Sequence, residues 1–236
     1  EYEETYKIIA PAWDDEMTKL APLPLAPGET HQAILVLPRI GETKTCYSTK
    51  REDQIIQTST NDLIEDRVKF PVRFISNQNA IITHRYSILV RQYVQTIEAF
   101  TYYKTLKKMS GNESILSQTQ PGFFYGNIIS SEDPNEKIIG FFEVATVSSK
   151  RIFFNYSDLF PKEPLPPYFI DCKESSYKDC FISTDPECKG GALRSAIGGN
   201  LSVLLSNTGI TYLMVPPPCG DCTSFSSNIK PSFWID

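Results

Sequence analysis

Histidine, basic charge and long apolar runs are all scarce in this chain, and each scarcity argues against a class of function. Only two histidines occur, His31 and His84, and no G-x-S-x-G, Walker A or G-x-G-x-x-G motif is present. The residues therefore predict neither a Ser-His-Asp hydrolase nor a phosphate-binding loop. The net charge of −5 does not provide the basic face that nucleic-acid binding requires. No apolar run approaches about 18 residues, so no membrane-spanning helix is predicted.

Aromatic residues and proline are abundant instead. The chain contains 14 Phe, 12 Tyr and 17 Pro. Phe and Tyr favour strands, and proline favours loops and strand edges. The composition therefore predicts a β-rich, loop-rich protein of an extracytoplasmic compartment.

One segment has the pattern of a helix. Thr96 is suited to cap its N-terminus, Glu98 falls in the first turn and Gly111 follows the last turn. Apolar and aromatic residues recur at helical spacing between them, namely Ala99, Tyr102, Tyr103, Leu106 and Met109. We predict an amphipathic helix at about 96–110.

Most other segments are predicted to be strands. The candidates are residues 1–12, 33–38, 55–60, 68–75 and 86–94. Two hairpins are predicted as well, one with strands at 138–147 and 151–156 around Ser148-Ser149, and one with strands at 201–205 and 210–215. The predicted fold class is mostly β, with sandwich-like antiparallel sheets, the helix at about 96–110 and an irregular, Cys-rich C-terminal cap.

A change in composition predicts a domain boundary. Four prolines between residues 161 and 167 form a stiff connector. We expect a β-rich domain with an inserted helix at 1–157, and a Pro/Cys-rich extension at 158–236 packed on it.

Five of the six cysteines lie in the last 65 residues, where apolar periodicity is weakest. Cross-links hold a segment that buries little apolar surface, which indicates an oxidising compartment. The disulfide candidates are Cys46, Cys172, Cys180, Cys188, Cys219 and Cys222. Nearness in sequence suggests a Cys219–Cys222 bond, or bonds from these two to the other cysteines of the tail, with a distant partner for Cys46. A zinc site of Cys180, Cys188, Cys219 and Cys222 is the rival interpretation.

The sequence offers few candidates for chemistry. Acidic pairs such as Glu132-Asp133 have the composition of solvated turns, so we assign no catalytic residue, no metal site and no cofactor. The adjacent aromatic residues have two interpretations: they fill the core, or they dock another protein. The docking candidates are Phe123, Phe124, Tyr125, Phe233 and Trp234.

Several strings resemble a known protein family. They are EYEETY at 1–6, YSILVRQYVQTIEAFTYYK at 86–104, GFFYGNI at 122–128, IIGFFEVATVSSKRIFF at 138–154, LPPYFIDC at 165–172 and CGDC…KPSFW at 219–234. Together they resemble the Bacteroidota lipoprotein family known as domain of unknown function 4249.

The resemblance implies a lipoprotein on the extracellular face of the outer membrane, acting beside a TonB-dependent transporter. Members usually carry a signal peptide, a lipidated Cys and an immunoglobulin-like domain upstream. Since the sequence opens on EYEETYKIIA, we expect Glu1 to be an interior position of a longer precursor, with the lipid anchor and the upstream domain outside this chain.

The expected function is that of a non-enzymatic accessory or ligand-capture partner of a TonB-dependent β-barrel. No nucleic-acid partner is expected. Two alternatives stay open: a structural subunit of an outer-membrane assembly or secretion complex, and a carbohydrate-active hydrolase.

Overall fold

Antiparallel sheets dominate the computed structural model, which describes residues 1–13, 18–22, 34–38, 40–61, 63–65, 67–110, 124–178 and 192–236. The strands are β1 (Tyr2–Ile9), β2 (Thr18–Pro22), β3 (Ile34–Pro38), β4 (Thr45–Arg51), β5 (Arg85–Val94), β6 (Thr146–Asn155), β7 (Ser175–Lys178), β8 (Val203–Thr208) and β9 (Thr211–Val215). The helices are α1 (Ile97–Ser110), α2 (Tyr156–Leu159), α3 (Ala192–Gly198) and α4 (Pro217–Gly220), with short 3-10 turns at Ala80–Ile82 and Cys222–Ser224.

The strands are arranged in three sheets. The largest has the order β4-β1-β5-β6, and the others are β2-β3 and β7-β9-β8. The pairs β2-β3, β7-β9 and β8-β9 are antiparallel. The predicted fold class is confirmed: mostly β with antiparallel sheets, a long helix at the expected place and a disulfide-linked C-terminal segment.

The helix α1 forms as its sequence predicts. The Thr96 hydroxyl oxygen accepts a hydrogen bond from the Ala99 N–H at 3.2 Å, which caps the N-terminus. Glu98 lies in the first turn, and Lys107 and Lys108 lie in the last turn. A negative charge at the N-terminus and positive charges at the C-terminus interact favourably with the helix dipole. Ala99 and Tyr102 are buried, so this face of the helix anchors it.

The chain divides into two compact units. Unit 1 comprises Glu1–Glu4, Lys50–Phe74 and Ile88–Ile152, and unit 2 comprises Thr5–Thr49, Ile75–Ser87 and Phe153–Asp236. Each is described by itself below. The boundary that the sequence suggests near residue 157 stays a prediction.

Unit 1 contains two buried acids that are neutralised by arginines. The Glu3 carboxylate accepts hydrogen bonds from Arg51 Nε at 2.9 Å and Arg151 Nη2 at 3.0 Å. Arg73 donates to both carboxylate oxygens of Glu4, at 3.2 and 3.3 Å. Because a buried carboxylate without partners is costly, these pairs are a condition for burying the start of the chain.

Unit 2 has a compact apolar cluster. Its buried members are Leu193, Leu204, Tyr212 and Met214, against which Ile34, Val36, Tyr177 and Ile197 pack. The β8-β9 hairpin supplies three of these four buried side chains. Gly209 turns between its strands with a φ of +68°, a conformation that favours glycine. This confirms the hairpin predicted at 201–215.

Two disulfides cross-link unit 2. Cys46 is bonded to Cys222, and Cys172 to Cys219. The proposed Cys219–Cys222 bond and the zinc site are therefore wrong. The reason is a contact between distant parts of the chain: the Cys222 N–H donates to the Thr43 carbonyl at 3.0 Å, which places Cys222 beside the start of β4 and its Cys46. Cys180 and Cys188 lie outside the described residues.

Three local predictions were also wrong. Residues 55–60 and 68–75 form no strand, since β propensity produces a strand only where a neighbour completes the backbone hydrogen bonds. The turn at Ser148-Ser149 does not form, and β6 runs straight through it. Within the proline-rich tail, α4 makes one helical turn with proline in its first positions, where the missing N–H has no cost.

Candidate docking groove

A cleft of about 380 Å³ lies beside α1 in unit 1. One wall is the exposed side of the helix, and the other is the irregular chain around residues 124–126 and 141. The lining residues are Ile97, Glu98, Thr101, Tyr102, Thr105, Phe124, Tyr125, Gly126 and Phe141. We call this cleft the aromatic groove.

Stacked rings form the floor of the aromatic groove. The Tyr102 ring lies parallel to the Phe124 ring at a centroid distance of 4.4 Å and tilted against Phe141 at 4.9 Å. Tyr103 meets both Tyr102 and Phe141 edge to face. Such ring pairs contribute about 0.5–1.5 kcal/mol each beyond the area they bury, so the floor is held in one arrangement.

Two segments without regular strand structure run side by side at the groove, residues 124–129 and 139–144. The Asn127 side-chain amide donates to the Phe142 carbonyl at 2.8 Å, and its oxygen accepts from the Phe142 N–H at 2.7 Å. Gly126 lies against Gly140 so closely that a Cβ atom on Gly126 would overlap the Gly140 carbonyl. An asparagine therefore takes the place of a strand partner, and two glycines permit the approach. We call these two stretches the paired segments.

The paired segments expose large apolar side chains. Tyr125 is 64% exposed and Ile129 is 88% exposed. Four more are also exposed, namely Ile128, Ile139, Phe142 and Val144, and Ile97 is exposed at the start of α1. Several large exposed apolar side chains on neighbouring segments are typical of an interaction site.

The polar side chains of the groove are largely committed to the helix itself. The Thr101 hydroxyl donates to the Ile97 carbonyl at 2.8 Å, and the Thr105 hydroxyl donates to the Thr101 carbonyl at 2.9 Å. Both hydroxyl groups thus donate their hydrogen bond to a backbone carbonyl one turn earlier in α1. Glu98 is the charged side chain among the lining residues that the structure describes. The groove is therefore mainly apolar with one carboxylate at its edge.

The structure separates the docking candidates. Phe124 is half-buried in the ring stack, and Tyr125 is exposed at the rim. Phe123 lies outside the described residues. Phe233 is half-buried and Trp234 is buried, packed edge-on against Tyr47 at 5.0 Å and Phe153 at 5.7 Å. Trp234 therefore fills the core of unit 2, and its proposed docking role is corrected.

Sequence reasoning missed part of the groove. The docking candidates do not include Ile97, Glu98, Thr101 and Thr105, although Ile97, Thr101 and Thr105 recur every four residues and so lie on one side of α1. Phe141 lies far from Tyr102 in sequence, so no local pattern connects them.

Within the described ranges, no three His, Cys, Asp or Glu side chains come together in a way that could hold a metal ion. In the same part of the chain, no helix has the length and apolar character needed to cross a membrane.

The family described as Domain of unknown function (DUF4249) matches residues 6–151. The chain belongs to this family. The DUF4249 match includes β5, α1 and the paired segments, and thus every lining residue of the aromatic groove. Searches of curated proteins and of solved structures returned no match.

Proposed function

We propose that this DUF4249 protein is a non-enzymatic lipoprotein of the outer-membrane surface, an accessory or ligand-capture partner of a TonB-dependent transporter. The aromatic groove and the exposed paired segments are its docking surface. A lipid anchor outside this chain attaches it to the membrane. Two things support the proposal: membership in the DUF4249 family, and an exposed apolar surface with a fixed shape.

The observation that carries the proposal is the exposure of six apolar side chains on the paired segments beside an ordered ring stack. Leaving such side chains in water is unfavourable, at about 25 cal/mol for each Å² that a partner could cover. The Asn127–Phe142 hydrogen bonds join the two segments that carry these side chains. A surface of this kind suits a protein partner.

The ring stack favours recognition because it is rigid before the partner arrives. Tyr102 is buried and contacts Phe124, Phe141 and Tyr103, so little conformational entropy remains to be lost at the floor of the groove. Tyr125 and Ile97 at the rim are the side chains that a partner would cover first. Aromatic residues of this type dominate the binding energy of many interfaces.

The hydrolase alternative receives less support from this geometry. Most glycoside hydrolases use two carboxylates about 5–9 Å apart across the substrate. Among the described lining residues, the aromatic groove offers Glu98 alone. The alternative of a structural subunit shares the apolar surface and differs in its partners, so the experiment must identify them.

The test is affinity purification of the tagged, anchored protein from native outer membranes, followed by mass spectrometry. We expect a β-barrel with a plug domain in stoichiometric amount, and we expect Tyr125→Ala to reduce its recovery at least tenfold. Phe74→Ala is the matched control, because Phe74 is an exposed aromatic residue of unit 1, at 85%, that does not line the groove. Recovery of several unlike assembly proteins would favour the structural subunit, and recovery of the protein alone would contradict both.

A further inference from the structure

A second cleft, of about 370 Å³, lies in unit 2 and has a different character from the aromatic groove. Its lining includes the cationic side chains Lys7 and Arg85, the imidazole of His84, and the carboxylate of Asp236. The chain as a whole has a net charge of −5, so two cations in one cleft stand out. The volume is within the range of small-molecule sites.

Arg85 is a fixed cation in this cleft. Its Nη1 donates to the Asn155 side-chain oxygen at 3.1 Å, its Nε donates to the Ile235 carbonyl, and its guanidinium lies 5.2 Å from the centre of the Phe153 ring. These contacts use two of the five N–H donors of an arginine. Among the described residues, no carboxylate lies within ion-pair distance of Arg85. Its orientation is thus set while its charge is not neutralised by an acid.

The carboxylate of Asp236 lies next to Lys7, the other cation of the cleft. Its Oδ1 lies 3.6 Å from Lys7 Nζ, and its Oδ2 accepts a hydrogen bond from Lys230 Nζ. The hydrogen bond from Lys230 lowers the pKa of Asp236, so this group is ionised at neutral pH. The Asp236 side chain is 58% exposed. An exposed ion pair contributes little, so another carboxylate can take its place at low cost.

His84 does not add a charge at neutral pH. Burial, and then the positive charge of Lys7, lower the pKa of His84 below its ordinary value of 6.5. The imidazole is therefore a neutral donor or acceptor on the wall of the cleft. With Asp236 in place, Lys7 is paired and Arg85 is the remaining positive charge. Ile9 and Leu165 supply apolar surface next to these groups.

We propose that this cleft binds the carboxylate of a small organic acid, which replaces the Asp236 side chain against Lys7 and uses the remaining donors of Arg85. Asp236 is the internal competitor: its carboxylate has the same chemistry as the ligand group. Ile9 and Leu165 cover the carbon skeleton of the bound acid. This inference goes beyond the proposed function and is independent of it, since the cleft and the aromatic groove lie in different units.

The experiment is a titration of the full chain with succinate, followed by the amide chemical shifts of residues 83–85 and 155–157. We expect saturable shifts, and we expect Asp236→Asn to bind succinate at least threefold more tightly because the competitor is gone. Lys7→Gln and Arg85→Gln should each weaken binding about tenfold, the loss of one charge-assisted hydrogen bond. Lys162→Gln, an exposed cation of unit 2, is the matched control and should leave binding unchanged.

Further arms make each outcome decisive. Succinamide has the same carbon skeleton as succinate but no charge. If succinamide binds as tightly as succinate, the proposed role of the carboxylate is overturned. Inorganic phosphate binding as tightly as succinate would overturn the choice of ligand class. Absence of saturable shifts with succinate, or an unchanged affinity in Asp236→Asn, would overturn the proposal itself. If Arg85→Gln does not fold, Arg85→Lys replaces it as a variant that keeps the charge. Lys7→Gln then tests whether loss of a cation weakens succinate binding.

Discussion

Cys46 is covalently bonded to Cys222, although 176 positions separate them in the chain. The bond joins β4 to the segment that follows α4, and the Tyr47 N–H donates to the Ser227 carbonyl at 2.7 Å next to it. A cross-link that closes so long a loop removes many conformations from the unfolded chain. The C-terminal segment is thus held by a bond whose partner lies in the first quarter of the sequence.

Removing this bond should destabilise unit 2. For the Cys46→Ser/Cys222→Ser double variant we expect a loss of about 2–5 kcal/mol in the free energy of unfolding, since the loop-closure entropy is lost. Urea unfolding followed by the fluorescence of Trp234, which packs against Tyr47, measures it.

The second disulfide provides the comparison. Cys172 and Cys219 are separated by only 47 positions, so the Cys172→Ser/Cys219→Ser variant should lose about 1 kcal/mol less. Equal or reversed losses would show that loop length does not determine the stabilisation.

The disulfide pairing illustrates what a sequence conceals. The oxidised state followed from five cysteines in a Pro-rich tail, but the connectivity depends on backbone hydrogen bonds between residues far apart, such as Cys222 with Thr43. Nearness of Cys219 and Cys222 carries no such information. The aromatic groove was hidden for the same reason, because Tyr102 and Phe141 meet only after folding.

Elements with local signals were predictable. The helix α1 follows from the Thr96 cap and the helical spacing of its apolar residues, and the β8-β9 hairpin follows from the turn at Gly209. The Ser148-Ser149 turn failed because serine does not require a turn conformation, and the sheet partner of β6 kept the strand straight. Local chemistry predicts an element only where no distant partner overrides it.

Glu3 should be a main determinant of the stability of unit 1. The Glu3 side chain is 8% exposed and pairs with Arg151, itself 16% exposed, and with Arg51. Glu3→Gln should cost about 2–4 kcal/mol at pH 7, because it removes the charged side of the ion pairs that Glu3 makes with Arg51 and the largely buried Arg151. Urea unfolding by circular dichroism measures the loss, and Glu132→Gln, an exposed acid of the same unit, should be neutral.

The pH dependence gives an independent check on Glu3. Burial raises the pKa of Glu3, but hydrogen bonds from Arg51 and Arg151 lower it more, so its pKa in the folded state lies below the ordinary value of 4.5. A carboxyl group whose pKa is lower in the folded state stabilises the fold at pH values above its unfolded-state pKa. This stabilisation is lost as the pH falls through the folded-state pKa. The stability difference between wild type and Glu3→Gln should therefore be constant down to about pH 5 and shrink below it. A difference that grows on acidification would contradict the ion pairs.

Gly126 should be essential for the paired segments. Gly126→Ala places a methyl group where the Gly140 carbonyl lies, so the segments must separate, at a cost of about 1–3 kcal/mol. Thermal unfolding measures the cost. Gly198→Ala is the control, since nothing lies within 4 Å of a Cβ atom there, and it should change stability by less than about 1 kcal/mol. A neutral Gly126→Ala would mean that the close approach does not exist in solution.

Substitution of two tyrosines of the groove should affect different properties, namely stability for Tyr102 and partner binding for Tyr125. Tyr102 is buried, so Tyr102→Ala should cost about 3–5 kcal/mol in the free energy of unfolding. Tyr125 is 64% exposed, so Tyr125→Ala should change stability by less than about 0.5 kcal/mol while it weakens partner binding. Denaturant unfolding of both variants measures this. A large stability loss for Tyr125→Ala would show that this ring belongs to the core.

Site-specific photo-crosslinking in native outer membranes tests the docking claim most directly. A photoreactive amino acid replaces Tyr125 in one strain and Phe74, the exposed aromatic residue outside the groove, in another. We predict an adduct with a TonB-dependent β-barrel from position 125 and none from position 74. Equal labelling from both positions, or no barrel adduct from position 125, would contradict the aromatic groove as the docking surface.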